Sequence, residues 1–205
     1  MKVLWVILGL IVLLLVILGL GYNRMIRLSQ GVDSQWAQVQ NQYQRRMDLI
    51  PNLVKTVEGS ANFEKSTLQD VIAARASATQ IKIDPNAAPT DPAKLAEFER
   101  TQSQLSGALS RLLVTVEKYP DLRSTQGFLT LQTQIEGTEN RISVERERFN
   151  DAVKLYNVSI QSFPASLYAG MFHFVPKPYF TGAPAAQTPP TVQFDFSGKA
   201  PATEK

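Results

Sequence analysis

The sequence predicts an all-α protein: a single N-terminal transmembrane helix followed by an antiparallel up-and-down bundle of four long helices. Three observations predict it. Residues 3–20 hold no charged, polar or proline side chain. Beyond them, apolar side chains recur at alternating steps of three and four, the period of a helix seam. Gly-Ser, a cluster of prolines and a Tyr-Pro pair then cut that seam into four stretches.

Fifteen of the eighteen residues in 3–20 are Leu, Ile or Val. Each favours insertion by roughly 0.3–0.6 kcal/mol at mid-membrane, so the sum is several kcal/mol in favour of the bilayer. With Gly21 and Tyr22, at ~1.5 Å per residue, the run crosses a ~30 Å hydrocarbon layer. A cleavable signal peptide wants a shorter apolar run and a small-x-small site, and Gly19-Leu20-Gly21-Tyr22-Asn23-Arg24 supplies no such pattern. The segment therefore reads as an uncleaved anchor. Lys2 stands on one side of it and Arg24 and Arg27 on the other. A short basic N-terminus before one apolar segment favours export of the chain beyond it, hence an extracytoplasmic bundle. The absence of cysteine fits either compartment.

From Val32 the apolar positions are Val32, Trp36, Val39, Tyr43, then Ile50, Leu53 and Val57, with Arg46 filling the gap. Pro51 sits inside the run, where it removes a hydrogen bond and presses on the Met47 carbonyl. Because the register survives it, residues 23–58 read as one kinked, continuous helix. Gly59-Ser60 is a stop followed by a start. The second helix should reach about Gln80 with Leu68, Val71 and Ile72 in its seam, interrupted by Glu64 and Arg75. Residues 84–92, with Pro85, Pro89 and Pro92, read as a loop. A third helix should begin near Asp91, with Pro92 in its first position. Its seam is Leu95, Phe98, Gln102, Leu105, Leu109, Leu112 and Val116, and Tyr119-Pro120 ends it. Phe128, Ile135, Ile142, Phe149, Tyr156 and Phe163 then repeat every seven residues, marking a long fourth helix that should end near Phe163-Pro164.

The organisation is thus an anchor over 1–22, a bundle over 23–163, an aromatic segment over 164–180 and a tail over 181–205. The tail is rich in Pro, Ala and Thr and too poor in apolar residues to offset ordering, so it reads as disordered. Within it, the apolar island at residues 189–196 could dock by extension onto a partner or be idle.

The string Arg45-Arg46-Met47-Asp48-Leu49-Ile50-Pro51-Asn52-Leu53-Val54, preceded by Tyr22-Asn23 and followed by Tyr119-Pro120-Asp121-Leu122, Glu139-Asn140-Arg141-Ile142 and Tyr156-Asn157, resembles the LemA family over about residues 22–180. The resemblance implies a bacterial inner-membrane protein with one N-terminal span and a four-helix bundle. It implies no known reaction or cofactor. One branch of the family is associated with magnetosome membranes, which points toward organising membrane.

Two groups of residues stand out as candidate sites. Four antiparallel helices on one anchor bring the fourth back to the bilayer, which would put Tyr22, Tyr168, Phe172, Phe174, Lys177, Tyr179 and Phe180 at headgroup level. The alternative is that these aromatics cap the open end of the core. Counting residues along the helices also levels Arg46 with Glu139, and Arg75 with Gln102 to within about a turn. Such a layer is either a register-fixing polar network or a ligand or proton site.

Other chemistry is missing from the sequence. The single histidine, His173, cannot supply the Glu-x-x-His pairs of a di-metal bundle, and without cysteine there is no thiolate site. No phosphate-loop string occurs. Basic and acidic residues alternate, as in Glu145-Arg146-Glu147-Arg148, and the net charge is +3, so no one-signed stripe serves nucleic acid. The expectation is a non-enzymatic module without metal or cofactor, whose partners are the bilayer and another protein or a second copy of itself. A rival reading is a membrane-shaping scaffold acting through self-assembly. Another is an enzyme or sensor built on carboxylates, Arg46 and Asn157.

Overall fold

The computed structural model describes residues 2–60, 63–81 and 83–181, and among them the secondary structure is entirely helical. The tail beyond Thr181, including the apolar island at 189–196, lies outside the described residues. Helix α1 spans Lys2–Glu58, α2 Lys65–Gln80, α3 Pro92–Val116, α4 Pro120–Arg123 and α5 Gln126–Gln161, with a 3-10 turn at Ala165–Leu167.

The anchor and the first bundle helix are one helix. At ~1.5 Å per residue, the 57 residues of α1 extend about 86 Å. Its first part is apolar enough to cross a membrane and is exposed along most of its length, with Leu18 touching the base of the core. The seam begins at Met25, so no linker separates span from bundle. Every predicted seam residue from Val32 to Val57 is buried, Arg46 included. Pro51 lies within the continuous helix. Its missing N–H leaves the Met47 carbonyl without its helical donor, and Arg75 on α2 donates its Nε–H to that oxygen at 3.2 Å.

Helix α2 starts four residues later than a Ser60 cap would have it, and Ile72 is 52% exposed instead of seated in the seam. Leu68, Val71 and Ala78 carry the contact to α3, and Phe63, just before the helix, packs its ring on Tyr119 at 4.9 Å. Leu68, Val71 and Ala78 follow 3.6-residue steps that leave Ile72 off the buried stripe. Helix α3 starts as the sequence indicates, with Pro92 in the first turn and the Asp91 carboxylate accepting from the Ala93 N–H at 2.8 Å. All seven of its predicted seam positions are buried. After α3 the chain makes one extra turn of helix, α4, nucleated by Pro120, and Thr125 caps α5 by accepting from the Phe128 N–H.

Along α5 the heptad positions Phe128, Ile135, Ile142, Phe149 and Tyr156 are buried, whereas Phe163 is 81% exposed. The helix stops at Gln161 because Pro164 disfavours helical backbone at the residue before it, so the seventh-residue rule no longer aims Phe163 at the seam. Cross-contacts fix the directions. Arg46 meets Gln102 on α3 and Glu139 on α5, Trp36 meets Phe98 and Phe149, and Arg75 meets Met47. Helices α1 and α3 therefore run outward from the membrane end, and α2 and α5 run back.

The core consists of two apolar compartments. The distal one joins Met47, Ile50, Leu53 and Val57 to Leu68, Leu105, Leu112, Leu122, Phe128 and Ile135. The membrane-proximal one joins Met25, Val32, Trp36, Val39 and Tyr43 to Leu95, Phe98, Ile142, Phe149, Tyr156, Tyr168 and Phe180. Helix α2, with sixteen residues, is too short to line the proximal compartment. The loop after it and the segment after α5 fill that place.

Candidate functional site

Between the compartments lies a polar layer centred on Arg46, which is 1% exposed. Its Nη1 donates to Glu139 Oε1 at 2.6 Å and to Ser106 Oγ at 2.7 Å, while Nη2 donates to the Gln102 side-chain carbonyl. Ser106 also reaches the same Glu139 oxygen at 3.4 Å. The guanidinium stands 5.2 Å from the centre of the Tyr43 ring. A buried guanidinium stays charged, so these acceptors, and the carboxylate first among them, are what make its burial tolerable. Of the four residues expected to share this layer, Arg46, Gln102 and Glu139 touch. Arg75 lies beside them but spends its Nε–H on the Met47 carbonyl. Glu139 is about one third exposed and opens the layer to a surface groove of about 460 Å³ between α3 and α5. Burial raises the Tyr43 hydroxyl above the ordinary tyrosine value of 10.0, and the carboxylates of Glu139 and Glu99 add to this against the lowering by Arg146 and Arg46.

The second site is the segment after α5, and here the structure departs from the sequence reading. The chain turns at residues 163–173, passing His173 in the left-handed region at φ 60°, and then runs back up the bundle as an extended strap over residues 174–181. Pro176 and Pro178 keep it extended and leave fewer backbone N–H groups to satisfy. Two asparagines hold it. The Asn157 side chain accepts from the Lys177 N–H at 2.9 Å and donates to the Lys177 carbonyl at 2.8 Å. Asn150 accepts from the Phe180 N–H at 2.8 Å and donates to the Phe180 carbonyl at 3.1 Å. Seven residues of helix rise ~10.5 Å and three of extended chain cover ~10 Å, so the two amides match the two strap residues. Tyr156 donates its hydroxyl to the Val175 carbonyl at 3.0 Å, and burial, with Asp33 adding to it, raises that hydroxyl as well. At the strap's end Glu99 accepts from the Thr181 N–H, and Arg146 donates to the Thr181 carbonyl.

Lys177 and Phe180 are therefore not headgroup residues. Lys177 is 7% exposed, with Nζ 2.7 Å from Asp33 Oδ1, and Phe180 is buried between Trp36 and Phe149 at ring distances of 5.9 and 5.2 Å. The cause is the strap's direction: it climbs the helices instead of lying along the membrane end. Tyr168 is also buried, with its hydroxyl against Gly21, where a Cβ would run into it. Tyr22 packs edge-on against Phe172 at 5.1 Å and Phe174 at 5.7 Å, so these four stand together at the end of the span, and Tyr179 is half-exposed on the strap. Sequence reasoning missed Asp33 and Asn150. Asp33 accepts from the Ala88 N–H at 3.0 Å as well as from Lys177, tying the interhelical loop and the strap to α1. Trp36 adds a bond from its ring N–H to the Asp84 carbonyl at 2.9 Å. The one available signal is the aromatic-Asn pair repeated seven residues apart, Phe149-Asn150 and Tyr156-Asn157.

A long apolar helix that becomes the first helix of a bundle, closed by a strap and divided by a buried arginine layer, defines a single-span membrane protein carrying a helical domain. Residues 35–194 match the profile of the LemA family, and the chain belongs to that family. It is 27% identical over 183 residues to magnetosome protein MamQ 2 of Paramagnetospirillum magneticum, covering 82% of this chain and 67% of the relative. The same figures hold for magnetosome protein MamQ of Magnetospirillum gryphiswaldense. Protein LemA of Metamycoplasma hominis is 24% identical over 141 residues, 69% of this chain and 60% of the relative. The names of these relatives state no reaction. Among the described residues, no group of three or more His, Cys, Asp or Glu is placed to hold a metal ion.

Proposed function

We propose that the chain is a non-enzymatic, membrane-anchored interaction module that holds a helical surface at a fixed height above the bilayer, for another protein or for organising the membrane itself. The observation that carries this reading is the unbroken course of α1 from span to distal tip. The 36 residues beyond Tyr22 rise ~54 Å, and with the seam starting at Met25 the bundle cannot swivel independently of its anchor. The names of the magnetosome relatives support a membrane setting. The polar layer acts in this reading as a register device, since a single buried polar contact among apolar seams penalises every other alignment of the helices. In this reading the bundle faces the extracytoplasmic side, and protease accessibility of the tail in intact cells tests that side.

The test of the function is crosslinking of the tagged full-length chain in intact membranes, followed by mass spectrometry. One recurring foreign protein supports the interaction module. Exclusive self-crosslinks and lipid adducts would support membrane organisation by self-assembly instead. Neither partner nor self-crosslinks above those of an unrelated single-span control would overturn both.

A further inference from the structure

Most of the membrane end of the bundle is closed by buried side chains, but the turn below α5 is not. Phe163, Leu167 and Met171 are 81%, 72% and 77% exposed, and Phe172 beside them is half-exposed. Four large apolar side chains within ten residues, turned away from a core that has room for Tyr168 and Ala169 of the same turn, are not explained by packing. Their height is fixed by contacts. The Tyr168 hydroxyl lies on Gly21 and the Phe172 ring on Tyr22, the residues that directly follow the apolar run of α1. The interfacial layer extends roughly 5–7 Å beyond the hydrocarbon, about four residues of helix, so the turn is level with it. Arg24 and Arg27, exposed on the next turn of α1, stand at phosphate height.

We infer that residues 163–172 form a second membrane contact, a wedge whose Phe163, Leu167, Met171 and Phe172 side chains enter the same leaflet from which α1 emerges. The wedge is distinct from the strap, and of its four members only Phe172 is among the residues expected from the sequence at headgroup level. It rests on the membrane-anchored reading and adds to it. The span alone holds the base at one point, whereas a wedge packed beside it widens that attachment to include the turn below α5. Gly21 is what allows the two to approach so closely, since any larger residue there would push Tyr168 and the turn away from α1.

The chain has no cysteine, so single labels can be read without background. The experiment places a fluorophore at Leu167→Cys, Met171→Cys or Phe163→Cys in the full chain reconstituted in phosphatidylcholine–phosphatidylglycerol nanodiscs. Leu13→Cys in the span and Val114→Cys on the exposed face of α3 serve as references. Quenching by spin-labelled lipid and by aqueous iodide is then compared. The expected result is lipid quenching at the wedge several-fold above that at Val114→Cys, with iodide quenching correspondingly reduced. Wedge labels that behave like Val114→Cys while Leu13→Cys is quenched by lipid would overturn the wedge alone. Failure of lipid quenching at Leu13→Cys would overturn the anchor reading itself. These side chains are exposed and make no core contact, and three independent positions guard against one disturbed variant.

Discussion

The two halves of the bundle close their cores differently. In the distal half, helix packs on helix, the backbone bonds are internal to the helices, and the side chains follow a regular seam. In the membrane-proximal half, a short second helix leaves a gap that loop 83–91 and strap 174–181 fill, and an extended chain brings its own unpaired backbone groups into a half-buried position. Those groups must be met by side chains, which is why Asn150, Asn157, Tyr156, Glu99 and Arg146 concentrate there. A helix-built core needs apolar periodicity alone. A strap-built core needs specific polar partners at specific rises, and is the more easily opened.

The largest expected effect separates the halves most directly. Phe180→Ala empties the space between Trp36 and Phe149 and should cost about 3–5 kcal/mol. Hydrogen exchange should then rise through the strap and the Trp36 region while the amides around Leu112 and Ile135 keep their protection. Uniform loss in both halves would mean that the two cores unfold as one. Next comes the layer that divides them. Arg46→Met strands Glu139 and Gln102 and should cost about 3 kcal/mol in denaturant unfolding, the lower end of the range for a broken buried pair because Glu139 keeps some water. The double change Arg46→Met with Glu139→Leu should recover much of that loss. Unaltered stability in the single variant would show that the layer does not hold the register.

A smaller effect concerns the distal half alone. Arg75→Met leaves the Met47 carbonyl unpaired and should cost about 1–2 kcal/mol. In a Pro51→Ala background the restored N–H takes that carbonyl, so the cost of losing Arg75 should fall, giving a coupling of about 1 kcal/mol in a double-mutant cycle. The smallest is a pH effect. Tyr43 and Tyr156 bind their protons more tightly folded than unfolded, so their contribution is intact below the ordinary tyrosine value of 10.0 and is lost as pH rises through their higher folded-state values. Unfolding curves across that range should decline less steeply for Tyr43→Phe with Tyr156→Phe than for the parent chain.

The same contrast accounts for how much the sequence reveals. The span, the seams of α1 and α3 and the levelling of Arg46 with Glu139 all follow from periodicity, which a helix writes into its residues. The strap cannot be found that way. Extended chain lying on helices has no partner strand and no period, and its aromatic residues read equally well as lipid-facing or as a cap on the core, so the sequence alone does not decide between the two for Lys177 and Phe180. Phe163 illustrates the limit from the other side: it sits on the heptad, but Pro164 ends the helix before the heptad can place it. Ile72 shows that two apolar neighbours in a short helix cannot both face the same partner.

The continuity of α1 also makes the molecule a lever. A span tilts in response to the thickness of the bilayer around it. With a rigid arm of ~54 Å beyond the surface, a change of ~10° at the anchor sweeps the far tip sideways by roughly 9 Å. The height of the tip hardly alters under the same motion. Two neighbouring copies in a thinning or curving patch of membrane would thus see their tips converge or part by about twice that distance, a geometric amplification of a change confined to lipid.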